Sequence, residues 1–184
     1  MDAPAPGAIL FTGSSSVRFW ESLAEDFPDH QVLNRGFGGS EFSDLQYYAD
    51  RVVYPYQPSV VFVYEGDNDI NAGDTPAQVL AQARMLRDSI AAHLGADTPV
   101  VFISPKPSVA RWHLRAAYEE ANALLEAYAD GTDHTYFADV WTPALQENGE
   151  VRDDIFVADN LHMNAAGYAI WREVIGRWIE RLAP

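Results

Sequence analysis

Apolar residues follow two alternating patterns along the chain, short continuous runs and longer stretches with helical spacing. The runs occupy residues 8–11, 32–33, 60–64, 100–103 and 136–138. Two of them are uninterrupted and rich in β-branched or aromatic residues, which is typical of parallel strands buried on both faces. The runs therefore predict a sheet of five parallel strands.

The stretches between the runs predict amphipathic helices. Apolar residues at helical spacing fill three of them, residues 79–90, 114–128 and 168–182. In the first, the charged Arg84, Arg87 and Asp88 fall away from the apolar stripe, and Asn164 is a suitable N-cap for the last. Strands that alternate with helices predict a doubly wound, three-layer α/β/α sandwich.

Polar or glycine-rich residues follow the predicted strands, at the edge of the sheet where doubly wound proteins bind ligands. They occupy residues 12–16, 34–40, 65–69 and 159–162. Acyl transfer needs a hydroxyl, an imidazole to take its proton and a carboxylate to hold the imidazole. Ser15, His162 and Asp159 supply these groups, and Ser15 begins a predicted helix, where unpaired N–H groups favour negative charge.

These four stretches resemble, in order, the sequence blocks of SGNH (GDSL-like) hydrolases. The first is similar to the Gly-Ser-Ser-Ser variant branch, with Ser14 in place of the motif's Asp, and implies that Ser15 is the nucleophile. The resemblance implies His162 as general base and Asp159 as the carboxylate that orients it. It also implies an oxyanion hole formed by the N–H groups of Ser15 and Gly39 and the side-chain amide of Asn68.

The resemblance carries further expectations about fold and function. The fold is expected to be a flavodoxin-like, five-stranded parallel sheet of order 2-1-3-4-5, in a single domain of residues 1–184. The activity is expected to be that of a serine esterase on short-chain, acetyl-like esters, without cofactor or metal, and an acetylated sugar is one candidate substrate. The alternatives are a catalytically silent carbohydrate-binding module, a thioesterase or lysophospholipase, and a flavodoxin-like nucleotide binder.

Two residues outside the blocks are candidates for substrate binding. Lys106, the single lysine of the chain, follows the fourth predicted strand, where it would meet an anionic group of a substrate. Trp112, together with Trp141, would form a wall for a sugar. The alternatives are a solvent-exposed loop lysine and tryptophans that pack in the core.

Net charge narrows the range of partners. The formal charge of −15 predicts repulsion from nucleic acid and anionic membranes. It fits either a well-solvated soluble protein or adaptation to salt.

The first residues lack the basic and apolar regions of a signal peptide, so the chain as it stands is expected in the cytoplasm; export would require a signal peptide ahead of it.

Several other functional motifs fail on individual residues. A dinucleotide fingerprint that starts at Gly36 would need its third glycine where Glu41 stands. A calcium loop that starts at Asp67 would need glycine where Ala72 stands. The sequence has no cysteine, no Gly-x-Ser-x-Gly elbow and no zinc-type spacing, so no metal site is expected.

Overall fold

Five strands form one parallel sheet in the computed structural model, which describes residues 6–183. They are β1 (Ile9–Gly13), β2 (Val32–Gly36), β3 (Val60–Tyr64), β4 (Val100–Ile103) and β5 (Thr135–Ala138). Their order is β2-β1-β3-β4-β5, which confirms the predicted topology. All residues of β1, β3 and β4 are buried, as continuous apolar runs require when helices cover both faces of a sheet.

Seven α-helices in the described part of the chain flank the sheet. They are α1 (Ser15–Arg18), α2 (Leu23–Asp26), α3 (Phe42–Val52), α4 (Asp67–Ala72), α5 (Pro76–Leu94), α6 (Arg115–Asp130) and α7 (Ala165–Leu182). One core cluster joins the sheet to α1, α2 and α7, and a second joins it to α3, α5 and α6. The sheet thus lies between two apolar layers. No helix in residues 6–183 combines the length and the apolar character needed to cross a membrane.

The predicted apolar stripes are confirmed, with one correction on α5. Val79 and Ile90, at the two ends of the first stripe, are both fully buried. Arg87, predicted to face away from the core, is buried as well. Its guanidinium donates to the Thr135 hydroxyl at 2.9 Å and to the Ala96 carbonyl at 2.9 Å. Helical spacing could not reveal these acceptors, because Ala96 lies beyond the end of α5 and Thr135 lies in β5, 48 residues away.

The predicted N-cap of α7 is also confirmed. The side-chain oxygen of Asn164 accepts hydrogen bonds from the N–H groups of Ala166 at 2.8 Å and Gly167 at 3.2 Å. A Cβ on Gly167 would lie 2.7 Å from the carbonyl oxygen of Ile155, so only glycine allows this close approach. The N-cap of α7 is therefore fixed two residues after His162.

The strand register brings three loops together at the carboxyl edge of the sheet. Gly13, the last residue of β1, pairs with Gly36 on one side and Tyr64 on the other. It has φ +119°, and a Cβ there would lie 2.0 Å from the Tyr64 carbonyl oxygen, so glycine is required. The loops after β1, β2 and β3 consequently begin side by side.

Candidate active site

Ser15, His162 and Asp159 form a continuous chain of hydrogen bonds at this edge. The Nε2 atom of His162 lies 2.9 Å from Ser15 Oγ, and its Nδ1 atom lies 2.6 Å from Asp159 Oδ2. An ionised carboxylate can only accept, so the Nδ1 proton points to Asp159 and Nε2 is left to accept from the serine hydroxyl. The three predicted residues are thus brought together in the order that acyl transfer requires.

A tight turn presents Asp159 and His162 on the same loop. The second carboxylate oxygen of Asp159 accepts from the N–H groups of Leu161 and His162, both at 2.9 Å. The slight desolvation of this exposed carboxylate acts to raise its pKa, but these hydrogen bonds and the one from the imidazole outweigh it and lower the pKa of Asp159 to about 2. Asp159 is therefore ionised near neutral pH.

The ring of His162 is also held by an aromatic contact. Phe19 lies edge to face with the imidazole, with ring centroids 5.1 Å apart. Phe19 is itself exposed, and His162 is half-buried. The contact restricts the imidazole on one side and leaves its serine-facing edge accessible.

The three predicted oxyanion donors lie on the three converging loops. Ser15 is the first residue of α1, where a helix N–H has no intrahelical acceptor. Gly39 is exposed, has φ +78° and belongs to the loop after β2. In the same loop, the N–H of Phe37 donates to the Gly13 carbonyl at 2.8 Å. Asn68, the second residue of α4, donates to the carbonyl of Ser40 at 2.9 Å. The loops of all three donors are therefore tied to one another.

The orientation of the Asn68 amide is determined by its partners. Its oxygen faces two donors of Arg111, Nη1 and Nη2, each at 3.1 Å. Its nitrogen faces the Ser40 carbonyl, which can only accept. Among the described residues, the nitrogen makes this single hydrogen bond, so its second N–H is free to meet a ligand.

A buried carboxylate below the site was missed by the sequence analysis. Asp67 accepts hydrogen bonds from Arg111 at 2.6 Å, from Tyr118 at 2.6 Å and from Tyr64 at 2.8 Å. Burial acts to raise the pKa of Asp67, but the charges of Lys106 and Arg111 and the tyrosine hydroxyls outweigh it, and the pKa lies below its ordinary value. Asp67 is thus a buried anion with several donors.

Lys106 fits neither the predicted contact with an anionic substrate group nor the alternative of a solvent-exposed loop lysine. Its side chain is 3% exposed, its Nζ donates to the Leu161 carbonyl at 2.7 Å, and the same atom lies 3.7 Å from Asp67. The ammonium group is therefore committed to protein acceptors, and a direct contact with substrate does not fit this position. The predicted place at the carboxyl end of β4 is correct, but the side chain points inward.

Trp112 is partly buried, and its side chain contacts residues outside the hydrogen-bonded chain of Ser15, His162 and Asp159. Its indole N–H donates to Glu150 at 2.9 Å, and its ring stacks on Trp141 with centroids 6.0 Å apart. Trp141 is itself buried in the core. These contacts give Trp112 a packing role, and its proposed contact with a sugar has no support from them.

Glu65, at the end of β3, is a second buried carboxyl group. Burial and the nearby charges of Asp69 and Asp44 raise its pKa well above the ordinary value, although a hydrogen bond with Ser40 opposes the shift. The Ser40 hydroxyl lies 2.6 Å from Glu65 and 3.1 Å from the Phe37 carbonyl. Since that hydroxyl has one proton and a carbonyl only accepts, a protonated Glu65 satisfies both contacts by donating to Ser40.

Two further features lie outside the hydrogen-bonded chain. A groove of about 680 Å³ runs between β5 and α7, lined by residues such as Phe137, Trp178 and Arg181, and contains neither Ser15 nor His162. Among residues 6–183, no group of three or more His, Asp or Glu side chains is arranged to hold a metal ion.

Residues 6–170 match the model of the GDSL-like lipase/acylhydrolase family. The sequence matches no curated protein.

Solved structures share the fold at low sequence identity. A GDSL-like lipase from Bacteroides thetaiotaomicron is 19% identical, with a TM-score of 0.80, and the match covers 98% of this chain and 92% of that chain. An acetyl xylan esterase from Geobacillus stearothermophilus is 17% identical, with a TM-score of 0.74 and 97% of each chain covered. A catalytic mutant of the same esterase, with a serine replaced by alanine, is 16% identical, with a TM-score of 0.74 and coverage of 97% and 96%.

Proposed function

The chain belongs to the GDSL-like lipase/acylhydrolase family, and on that premise we propose that it hydrolyses short-chain acyl esters through an acyl-enzyme on Ser15. Family membership makes it a carboxylic ester hydrolase. The observation that carries the proposal is the hydrogen-bonded chain from Ser15 through His162 to Asp159, with contacts of 2.9 and 2.6 Å. A catalytically silent binding module has no need of that chain.

The first half of the reaction forms the acyl-enzyme. Ser15 Oγ attacks the ester carbonyl while His162 Nε2 takes the hydroxyl proton, and the carbonyl π electrons move to oxygen. The N–H groups of Ser15 and Gly39 and the Asn68 amide hold that oxyanion. His162 then gives its proton to the leaving oxygen, the C–O bond breaks, and an alcohol departs.

The second half restores the enzyme. Water attacks the acyl carbonyl and gives a proton to His162, and the same donors hold the second oxyanion. The bond to Ser15 Oγ then breaks, Oγ regains the proton from Nε2, and the carboxylic acid leaves. Asp159, ionised because its pKa is lowered to about 2, stabilises the imidazolium in both halves.

The short-acyl preference is supported by the openness of the site. Gly39 and Asp159 are exposed and Ser15 is half-buried, which gives an acyl chain little apolar surface to cover. Each buried methylene contributes about 0.8 kcal/mol to binding, so an open site gains little from longer chains. The fold shared with an acetyl xylan esterase supports acetylated sugars as the first natural esters to test.

Covalent labelling tests the nucleophile. A fluorophosphonate is expected to label the wild type and to leave Ser15→Ala unlabelled. Ser14→Ala and Ser16→Ala are the matched controls, because both serines are buried and neither bonds His162. A label that survives in Ser15→Ala and is lost in one of the controls would move the nucleophile to that neighbour.

A series of p-nitrophenyl esters from acetate to palmitate, kept below micelle-forming concentrations, tests the substrate. The value of kcat/KM is expected to be highest for acetyl and butyryl esters and to fall beyond about eight carbons. A maximum at decanoate or longer would instead indicate a lipase or long-chain thioesterase. A wild type that binds sugars but neither hydrolyses esters nor reacts with the phosphonate would be a binding module.

A further inference from the structure

Two cations contact one buried carboxylate beneath the active site. Each cation also donates hydrogen bonds to a different part of the active site. Arg111 lies 2.6 Å from Asp67 Oδ1, and Lys106 lies 3.7 Å from Oδ2. Beyond Asp67, Lys106 reaches the carbonyl of Leu161, directly before His162. Arg111 reaches the side-chain oxygen of Asn68.

We propose that Lys106 and Arg111 are positioning residues for the two halves of the active site, and that Asp67 holds them both. Lys106 fixes the loop that carries the general base, and Arg111 orients and polarises the oxyanion donor. The inference rests on the proposed function, since it assigns His162 and Asn68 the roles given there.

Lys106 acts on His162 through the peptide that joins it to Leu161. Asp159 holds the N–H side of that turn, through the amides of Leu161 and His162. The Lys106 ammonium holds the carbonyl side at 2.7 Å, from below the loop. With both sides of the peptide bound, the backbone of His162 has little freedom, and its Nε2 stays within reach of Ser15.

Arg111 acts on Asn68 in two ways. Its Nη1 and Nη2 atoms both donate to the amide oxygen, and this planar fork restricts rotation of the amide. A positive charge at the oxygen also draws electron density from the amide nitrogen, which makes its N–H groups stronger donors. The free N–H of Asn68 is thereby aimed and strengthened before an oxyanion forms.

Lys106→Met tests the first half of the proposal, with Arg87→Met as its matched control. Arg87 is another buried cation that donates to a backbone carbonyl, but its acceptors lie at the amino ends of the strands, before β4 and at the first residue of β5. Per folded molecule, Lys106→Met is expected to lower kcat by about 10²-fold, the cost of a misplaced catalytic group, with KM nearly unchanged. Arg87→Met is expected to keep the wild-type kcat.

Two outcomes would overturn this half. A wild-type kcat in Lys106→Met would show that His162 needs no support from the ammonium, and equal losses in both variants would show a general effect of removing a buried cation. If Lys106→Met does not fold, Lys106→Gln replaces it, because the glutamine amide is uncharged and ends one atom short of the position of Nζ, which bonds the Leu161 carbonyl. The same loss of kcat is expected there.

A double-mutant cycle tests the second half. Arg111→Met is expected to lower kcat by up to about 10²–10³-fold, the range for loss of one oxyanion donor. In the Asn68→Ala background the same substitution should cause no further loss, because Arg111 acts through the missing amide. Additive losses would overturn the role given to Arg111.

The wild type separates failure of the inference from failure of the proposed function. If it neither hydrolyses esters nor binds the phosphonate at Ser15, both proposals fail. If it does both and the Lys106 and Arg111 variants match its kcat, the positioning roles alone are wrong.

Discussion

Two buried cations lie at opposite ends of the strands, Arg87 at the amino ends and Lys106 at the carboxyl ends. They make similar hydrogen bonds but stabilise different parts of the protein. Arg87 donates to the Thr135 hydroxyl and the Ala96 carbonyl, which are neutral groups in segments that enter the sheet. Lys106 also donates to a carbonyl, but it adjoins a carboxylate and supports the loop of His162. A buried cation can thus close a fold or hold a reactive loop, and the segment it reaches decides which.

The largest contrast between the two edges is expected at Asn68. Asn68→Ala should lower kcat by about 10²–10³-fold and change KM much less, because the amide meets the oxyanion more strongly than the ground-state carbonyl. Thr135→Val, which removes an acceptor of Arg87 at the other edge, should leave kcat unchanged. Steady-state kinetics of both variants measure this, and a loss in Asn68→Ala that appears only in KM would assign the amide to substrate binding.

Stability should also separate the two cations. Asp67→Asn leaves the buried Lys106 and the partly buried Arg111 without their shared anion and should lower the free energy of unfolding by about 3–5 kcal/mol. Arg87→Met leaves only neutral acceptors unpaired and should cost about 1–3 kcal/mol. Urea unfolding of both variants measures the difference, and a larger loss in Arg87→Met would contradict the contrast drawn between the two edges.

The smallest expected effect is a pH dependence of protein stability caused by Glu65, which lies at the carboxyl ends of the strands. Because the folded-state pKa of Glu65 is raised above its ordinary value of 4.5, its stabilising contribution is full below pH 4.5 and is lost as pH rises towards the folded-state pKa. Glu65→Gln has no such loss, so its melting temperature should rise relative to that of the wild type as the pH increases above 4.5. Exposed Glu126→Gln is the control for calorimetry, and parallel pH curves in wild type and Glu65→Gln would argue against a protonated Glu65.

Local patterns were sufficient for most of the fold. The apolar runs found all five strands to within a few residues, because strands buried on both faces leave a continuous signal. Helical spacing found the buried faces of α5, α6 and α7. It failed at Arg87 because the position lies at the border of its stripe, where acceptors outside the helix, at Ala96 and Thr135, decide whether the side chain turns inward.

The active site likewise combines features that the sequence determines with features that only the tertiary structure determines. The sequence alone determined which groups are candidates, since Ser15, Asp159 and His162 occur in short motifs whose residue types and spacing are readable along the chain. Only the tertiary structure decided what Asp67, Lys106 and Arg111 contact, because Arg111 lies 44 residues from Asp67 and Lys106 lies 55 residues from Leu161. Such pairs form where the carboxyl ends of parallel strands meet, and that meeting depends on strand order and register, which no local pattern encodes.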